Sequence, residues 1–218
     1  MKLFFDTETT GLVNRKESDF HSSQPDLVQL GLILTEDDGT VRRTLGIIFK
    51  NDNIPIEASN VHGITTAISQ AYGVTWDDKQ KWELADLFHN ADEIIAHNYS
   101  FDKVVINKFL SSLGGLTCND SKSFCTMLAT TDICKLPHKT TKRWPGMNAY
   151  KWPKCSEAYE ILFGEKLEGA HDALTDVRAC MRIYFRLKEL ERQCKLEEYK
   201  TASVSNSGIN ILASTTCI

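Results

Sequence analysis

Two carboxylates stand at the end of a short apolar run near the start of the sequence. The run from Leu3 to Phe5 is too short and too apolar to be an exposed segment, so it predicts a buried strand. Asp6 and Glu8 follow it, and residues i and i+2 of an extended chain point to the same face. Both carboxylates can therefore face one point, where they repel each other unless a hard divalent cation lies between them. A loop-capping Asp6 with a solvated Glu8 explains the pair equally well, so the prediction needs further partners.

Asp102 is a third carboxylate beside the end of a predicted strand. The apolar run Glu93–His97 predicts the strand, and a helix predicted over Phe101–Leu113 begins soon after it. The helix dipole alone favours an acid in a first helical turn. The polar cluster at the carboxyl end of this strand is more specific, because open α/β sheets place ligand sites there.

His171 and Asp176 lie at the start of a long helix, predicted from about Ala170 to Glu198. Five residues turn about 500° on an ideal helix, so the two side chains diverge unless His171 lies on the loop that enters the helix. Asp172 is an alternative acid, which we expect to cap the helix instead. A loop histidine and a solvated helix acid are the plainer explanations of the pair. Four carboxylates and one histidine at strand ends and helix starts nevertheless predict one shared site.

The elements that must position these residues predict a mixed α/β sheet. Two β-rich runs, Leu27–Thr35 and Val41–Lys50, are joined through Asp37-Asp38-Gly39, which is a strong hairpin signal. Strand–helix–strand units follow the hairpin, and this order is typical of a single α/β domain with helices on the faces of its sheet. The remaining predictions are an irregular segment over Asn51–Asn60, helices after the N-caps Thr65 and Asp77, and a short strand near Ser123–Thr126.

Composition excludes several classes of protein. The 218 residues are 42% hydrophobic and 25% charged, which suits one soluble domain. A net charge of −4 argues against a protein that coats nucleic acid by bulk electrostatics. No apolar run predicts a signal peptide or a membrane span, so we expect no membrane partner. The seven cysteines include no Cys-x-x-Cys pair, so we expect reduced thiols and a cytoplasmic location.

Four stretches of the chain resemble the motifs of a known enzyme family. They are Asp6-Thr7-Glu8-Thr9-Thr10-Gly11, Val61-His62-Gly63-Ile64, His97-Asn98 with Phe101-Asp102, and His171-Asp172-Ala173 with Asp176. In order and spacing they are similar to the three exonuclease motifs of the DEDDh, or DnaQ-like, 3′→5′ exonucleases. The resemblance covers roughly residues 1–190 and implies a ribonuclease H-like fold, with a mixed five-stranded sheet flanked by helices.

The resemblance implies a two-metal phosphodiesterase that releases nucleoside monophosphates from 3′ ends. Asp6 would bridge two Mg²⁺ or Mn²⁺ ions about 3.5–4 Å apart, with Glu8 and Asp176 completing the ligands of one ion. Asp102 would support the other ion, directly or through water. His171 would be the general base that takes a proton from the attacking water, since histidine titrates near neutral pH.

The same resemblance implies which residues hold the terminal nucleotide. Two side chains would contact it, the backbone after the first strand and an apolar wedge would hold the last base, and two further side chains would line the site. These are, in that order, Glu57 and His62, then Thr9 and Gly11 with Leu12 as the wedge, then Asn98 and Phe101. One departure is Cys125-Thr126, where many relatives have an Asp-Thr pair whose acid is not a metal ligand.

A basic and aromatic insert interrupts the exonuclease domain, which we place at residues 1–200. From about residue 133 to 156 the chain has six basic residues and no acid, with Trp144, Tyr150 and Trp152 between them. This mixture suits a surface that follows a single strand by charge and stacking. A solvated loop whose aromatic side chains, Trp152 among them, pack on the domain is an equal alternative.

Two other features of the sequence are not assigned a functional site. Cys125, Cys134, His138 and Cys155 match no zinc finger or ribbon spacing, so we reject a zinc site. Residues 201–218 are rich in Ser, Thr and Asn and predict a flexible tail.

The leading hypothesis is a DNA-directed 3′→5′ exonuclease that acts on single-stranded or frayed ends. It would be free-standing or a proofreading partner of a DNA polymerase or other replication protein. An exoribonuclease of the same chemistry stays open, because sensing a 2′-hydroxyl depends on pocket contacts that the motifs do not specify. A catalytically silent module that binds nucleic-acid ends is the alternative from another class, but such a module has no need for five clustered titratable side chains.

Overall fold

The computed structural model describes residues 1–114, 118, 120–139 and 146–206. Its strands are β1 (Lys2–Thr9), β2 (Leu27–Thr35), β3 (Val41–Ile48), β4 (Glu93–Ala96) and β5 (Ser123–Cys125). Its α-helices are α1 (Ile56–His62), α2 (Thr66–Tyr72), α3 (Asp78–Asn90), α4 (Tyr99–Phe109), α5 (Thr126–Cys134), α6 (Cys155–Phe163) and α7 (Ala173–Asn206). Within these ranges no helix has the length and apolar character that crossing a membrane requires.

β1 lies at the centre of the sheet, whose strand order is β3-β2-β1-β4-β5. It pairs antiparallel with β2 and parallel with β4, and β4 pairs parallel with β5. The predicted hairpin is the antiparallel pair of β2 and β3. The sheet is therefore mixed and five-stranded with helices packed against it, which confirms the predicted fold class.

Alternate residues of β1 enter two different cores. Leu3 and Phe5 pack in a core that includes residues of α3 and α4. Phe4 packs on the other side against Tyr184 of α7, with ring centroids 5.4 Å apart. Asp6 and Glu8 continue the phase of Phe4, so they lie on the face of the sheet that α7 covers.

Three helices lie where the sequence predicts none. α1 occupies part of the segment predicted to be irregular, and α5 contains threonines, which are poor helix formers. Thr130 of α5 donates its hydroxyl to the carbonyl of Thr126 at 2.7 Å. α6 packs Ala158 and Tyr159 into a shared core with α7. The prediction was wrong at these places because tertiary packing stabilises helices whose local propensity is weak.

The predicted helix caps are confirmed, whereas some helix ends differ. Thr65 accepts a hydrogen bond from the backbone of Ile68 at 3.2 Å, and Asp77 accepts one from Gln80 at 2.9 Å. α4 ends at Phe109, and Ser111–Leu113 forms a 3-10 turn. α7 continues to Asn206, inside the segment predicted to be a tail, while residues 207–218 and residues 140–145 of the insert lie outside the described residues.

Candidate active site

The carboxyl end of β1 and the start of α7 bring three candidate residues together. Ligand atoms of Glu8, His171 and Asp176 all lie within 4.8 Å of one another. Asp6 precedes Glu8 by two residues on the same face of β1. The charges of Asp102, Asp176 and Glu8 raise the pKa of its carboxyl group. The predicted carboxylates and histidine therefore do form one cluster.

His171 lies outside α7, on the loop that enters it. Its backbone has a positive φ of 70°, a conformation that is uncommon for residues other than glycine. Its N–H donates to Oδ2 of Asp176 at 2.9 Å. Asp172 caps the helix, as expected, by accepting the N–H of Thr175 at 3.0 Å. The left-handed turn at His171 is what allows it and Asp176 to face one point despite their spacing.

Asp176 retains one oxygen for a further ligand. The residue is buried, and its Oδ1 has no hydrogen-bond partner among the residues that the structure describes. A buried carboxylate oxygen without a partner is costly, so its position requires an explanation. A cation bound at this oxygen would satisfy it. The unpaired oxygen is therefore the observation that indicates that the carboxylates of the cluster fit a metal ion.

Asp102 reaches the cluster from α4, on the other side of β1. It is buried in the first turn of that helix, and its Oδ1 accepts two hydrogen bonds from Thr7. The backbone N–H of Thr7 donates at 3.1 Å and its hydroxyl at 2.7 Å. Thr7 thus positions Asp102 against the strand that carries Asp6 and Glu8.

The carboxyl groups of this cluster all have raised pKa values. Desolvation by burial is the largest cause in each case, and repulsion between the carboxylates adds to it. The pKa of Glu8 rises to about 8 and that of Asp102 to about 7. The pKa of Asp6 is raised well above its usual value, and that of Asp176 is also raised. A divalent cation would reverse these shifts, because it stabilises the ionised form of each group.

His62 lies against the strand that carries the acids. Its Nδ1 accepts the N–H of Ile64 at 3.1 Å, so Nε2 carries the proton and donates to the carbonyl of Thr9 at 3.3 Å. Burial lowers the pKa of His62, and the charge of His171 lowers it further. His62 therefore lies beside the end of β1, and its contact with the terminal nucleotide stays a prediction.

Four of the remaining predicted substrate residues follow β1 or β4 in the chain, and Glu57 lies on α1. The side chain of Leu12 is 88% exposed, and Glu57 is exposed on α1. Gly11 follows β1, and its carbonyl accepts the hydroxyl of Thr9 at 2.7 Å. Asn98 has a left-handed φ of 77° before α4, and Phe101 is half-buried in the first turn of that helix.

Two residues of β2 that lie against the start of α7 were not identified from the sequence. Gln29 and Gly31 are the cross-strand partners of Glu8 and Asp6. Gln29 Nε2 donates to Oδ1 of Asp172 at 2.7 Å, and its Oε1 accepts the N–H of Ala173 at 3.1 Å. The signal that could identify Gln29 is a polar side chain in a strand whose residues are all buried.

A cavity of about 590 Å³ adjoins this region without containing the carboxylates. It lies beside Thr10 and Asp26, with Phe49, Trp76 and Phe109 among its lining residues. The carboxylate cluster instead lies at the end of the central strand, where Asp102 and Asp176 are buried and His171 is exposed.

The comparison with protein families gives one match. Residues 3–184 match the family model RNase_T, which is described as an exonuclease. No curated protein sequence matches the chain.

Several solved structures share this fold. The zinc-bound complex of E. coli exonuclease I with single-stranded DNA has 21% identity and a TM-score of 0.63, over 91% of this chain and 42% of that chain. The complex of E. coli exonuclease I with a dT13 oligonucleotide has 20% identity and a TM-score of 0.61, over 91% and 42%. Exonuclease X with 5′ overhanging duplex DNA has 21% identity and a TM-score of 0.51, over 84% and 89%. The chain spans less than half the length of the exonuclease I chains, and likeness at these identities shows the fold alone.

Proposed function

We propose that this chain, which belongs to the exonuclease family matched by residues 3–184, is a metal-dependent 3′→5′ exonuclease that acts on single-stranded or frayed DNA. The observation that carries the proposal is the cluster of carboxyl groups with raised pKa values beside His171. Packing acids together in this way opposes folding unless a cation binds between them. Such a cation would stabilise the negative charge that develops on the phosphodiester in the transition state.

The chain's own residues would divide the work as follows. Asp6, Glu8 and Asp176 would hold one divalent cation, and Asp6 with Asp102 the second. When bound, the two cations stabilise both the attacking and the departing oxygen of an in-line displacement. His171, which is exposed at the mouth of the cluster, would accept a proton from the attacking water. The oxygen-rich ligand set favours Mg²⁺ or Mn²⁺ over softer metals.

The strand end would be held by the residues around the end of β1. The exposed Leu12 would wedge against the last base, and the His62 ring, held at the carbonyl of Thr9, would contact the terminal nucleotide. Glu57, Asn98 and Phe101 would line the same place. A wedge at the strand end would admit a terminus and not the middle of a strand, and the 3′→5′ direction is proposed from the resemblance to the DEDDh exonucleases.

DNA is the favoured substrate because the similar structures of exonuclease I and exonuclease X hold DNA. An exoribonuclease of the same chemistry is the second candidate, since selection against a 2′-hydroxyl depends on pocket contacts that the motifs do not specify. A silent binding module is disfavoured by the partnerless Oδ1 of Asp176. The odd number of cysteines supports our placing the activity in the cytoplasm.

The test is digestion of 5′-labelled single-stranded DNA and RNA of one sequence, with Mg²⁺ or Mn²⁺, beside the Asp6→Ala protein. We expect a ladder of shortening 5′-labelled products that requires both the metal and Asp6, and faster digestion of DNA. Immediate release of a labelled mononucleotide would show the opposite polarity. Tight binding of both oligonucleotides without any product would overturn the proposal in favour of the silent module.

A further inference from the structure

Trp152 is an exposed aromatic side chain in the basic and aromatic insert, and the proposed reaction does not use it. The residue is 54% exposed, although Pro153 next to it is buried. The alternative that this part of the insert packs on the domain is therefore correct for Pro153 and wrong for Trp152. A single exposed aromatic side chain is common on protein surfaces, so the place of Trp152 in the fold, and not its exposure alone, is what indicates a binding role.

The segment around Trp152 runs directly beside the carboxylate cluster. Nε2 of His97, at the carboxyl end of β4, donates to the carbonyl of Pro153 at 3.0 Å. Sγ of Cys155 lies 3.9 Å from the carbonyl of Asp176. Burial raises the pKa of the Cys155 thiol, and the charges of Asp176 and Asp6 raise it further. The backbone on both sides of this stretch thus touches elements that carry proposed metal ligands.

Hydrogen bonds also hold the residues on both sides of the exposed ring. His97 is buried and neutral, because burial lowers its pKa, and its Nδ1 pairs with the hydroxyl of Thr126 at 2.9 Å. The N–H of Lys151 donates to the carbonyl of Leu136 at 3.0 Å, and its Nζ contacts both carboxylate oxygens of Glu157 at 2.7 and 2.8 Å. Trp152 therefore lies between two residues that are held by hydrogen bonds. Less conformational entropy of this backbone is then lost when a ligand binds to Trp152.

We propose that Trp152 is a stacking platform for a base of the single-stranded substrate, upstream of the terminal nucleotide. The inference rests on the proposed function, because it concerns the strand whose 3′ end enters the carboxylate site. Every base has an aromatic face, so stacking on Trp152 would strengthen binding without selecting a sequence. His97 acts as a positioning residue for this platform through its hydrogen bond to Pro153.

The experiment compares Trp152→Ala and Trp152→Phe with the control Trp82→Ala. Trp82 is a matched control because it is 52% exposed but lies on α3, against the opposite face of the sheet from α7. Binding of a fluorescent single-stranded oligonucleotide is measured by anisotropy in EDTA, in an Asp6→Asn background. Steady-state digestion with Mg²⁺ is measured separately in the Asp6 background.

We expect Trp152→Ala to weaken oligonucleotide binding and to raise KM about ten-fold, with kcat nearly unchanged. Trp152→Phe should retain most of the affinity, because it keeps an aromatic face. With a dinucleotide substrate the effect of Trp152→Ala should shrink, since no upstream base reaches the ring. Thermal melting checks that each variant is folded.

Equal binding and equal KM for Trp152→Ala and Trp82→Ala would overturn the inference. The anisotropy measurement keeps this outcome distinct from failure of the proposed function. If the protein binds strands through Trp152 but digests none, the stacking platform stands and the exonuclease proposal falls.

Discussion

The two halves of the carboxylate cluster are held in different ways. Asp6 and Glu8 belong to β1, the central strand, whose residues Leu3, Phe4 and Phe5 have no exposed surface. His171 and Asp176 belong to the entrance of α7, which forms no part of the sheet. Backbone pairing with β2 fixes the first half. The second half is placed by the contact between α7 and β2.

That contact is made opposite the acids themselves. Gln29 pairs across the sheet with Glu8, and its side-chain amide bonds both Asp172 and the N–H of Ala173. Gly31 pairs with Asp6, and a Cβ there would lie 2.1 Å from the carbonyl oxygen of Ala173. The absence of a side chain at Gly31 lets α7 approach β2 closely. The strand half is therefore fixed by strand pairing, whereas the helix half should depend on Gln29 and Gly31, neither of which is proposed to contact metal or substrate.

The largest expected effect is loss of the strand half by Asp6→Asn. We expect kcat to fall about 10³-fold or more, because a ligand proposed for both cations is removed. In EDTA the same variant should melt at a higher temperature than the wild type, because one repelling acid is gone. The control is Asp38→Asn, which changes an exposed acid of the β2–β3 turn. Equal loss of activity in both variants would contradict the assignment.

Gly31→Ala should damage the helix half through packing alone. The added methyl group meets backbone atoms of Ala173 and Leu174, which cannot rotate away, so α7 must shift. We expect about 1–3 kcal/mol lower stability and about a hundred-fold lower kcat, from denaturant unfolding and steady-state kinetics. Gly46→Ala is the control, because its Cβ would meet only the side chain of Leu174, at 3.1 Å. If both variants keep full activity, close approach at Gly31 does not position the site.

Gln29→Leu should loosen the helix entrance with a smaller effect. It removes both hydrogen bonds to the start of α7 at similar side-chain volume, so we expect about 1–2 kcal/mol lower stability. We expect kcat to fall about ten-fold with KM little changed, because no direct contact with substrate is lost. Gln70→Leu, which removes a bond to the carbonyl of Asn51 at 2.8 Å, should change stability without changing kcat. A rise in KM for Gln29→Leu with kcat unchanged would indicate a substrate contact instead.

A pH dependence of stability is expected in the metal-free protein. The folded-state pKa of Glu8 is raised from 4.5 to about 8, so the folded state binds more protons than the unfolded state between those values. Stability should therefore fall as the pH rises through this window and level off above it. Melting temperatures in EDTA from acidic to mildly alkaline pH test this. Mn²⁺ should raise the melting temperature most at the alkaline end, and a rise that is independent of pH would contradict the origin in these carboxyls.

The sequence analysis predicted some parts of the site better than others. The spacing of Asp6 and Glu8 on an apolar strand predicted their shared face, because alternation along a strand is a local property. The sequence allowed His171 to share the site only if it lay outside the helix, and the predicted helix start at about Ala170 was wrong, because α7 begins at Ala173 after the left-handed turn at His171. The helices α1, α5 and α6 were not predicted, because packing partners far along the chain stabilise them. The contacts of Gln29 and Gly31 with the start of α7 were not predicted for the same reason.

By itself, the sequence determined the types and order of the residues that the site needs, the central strand that carries two of them, and the family. Periodicity and spacing express these properties, because burial and alternation act between near neighbours along the chain. Only the tertiary structure decided how closely α7 approaches β2 and which aromatic side chain of the insert stays exposed beside the carboxylates. Those outcomes depend on strand register and on contacts such as Glu8 with Gln29 or His97 with Pro153. Residues so far apart in the chain leave no local pattern from which their contact can be read.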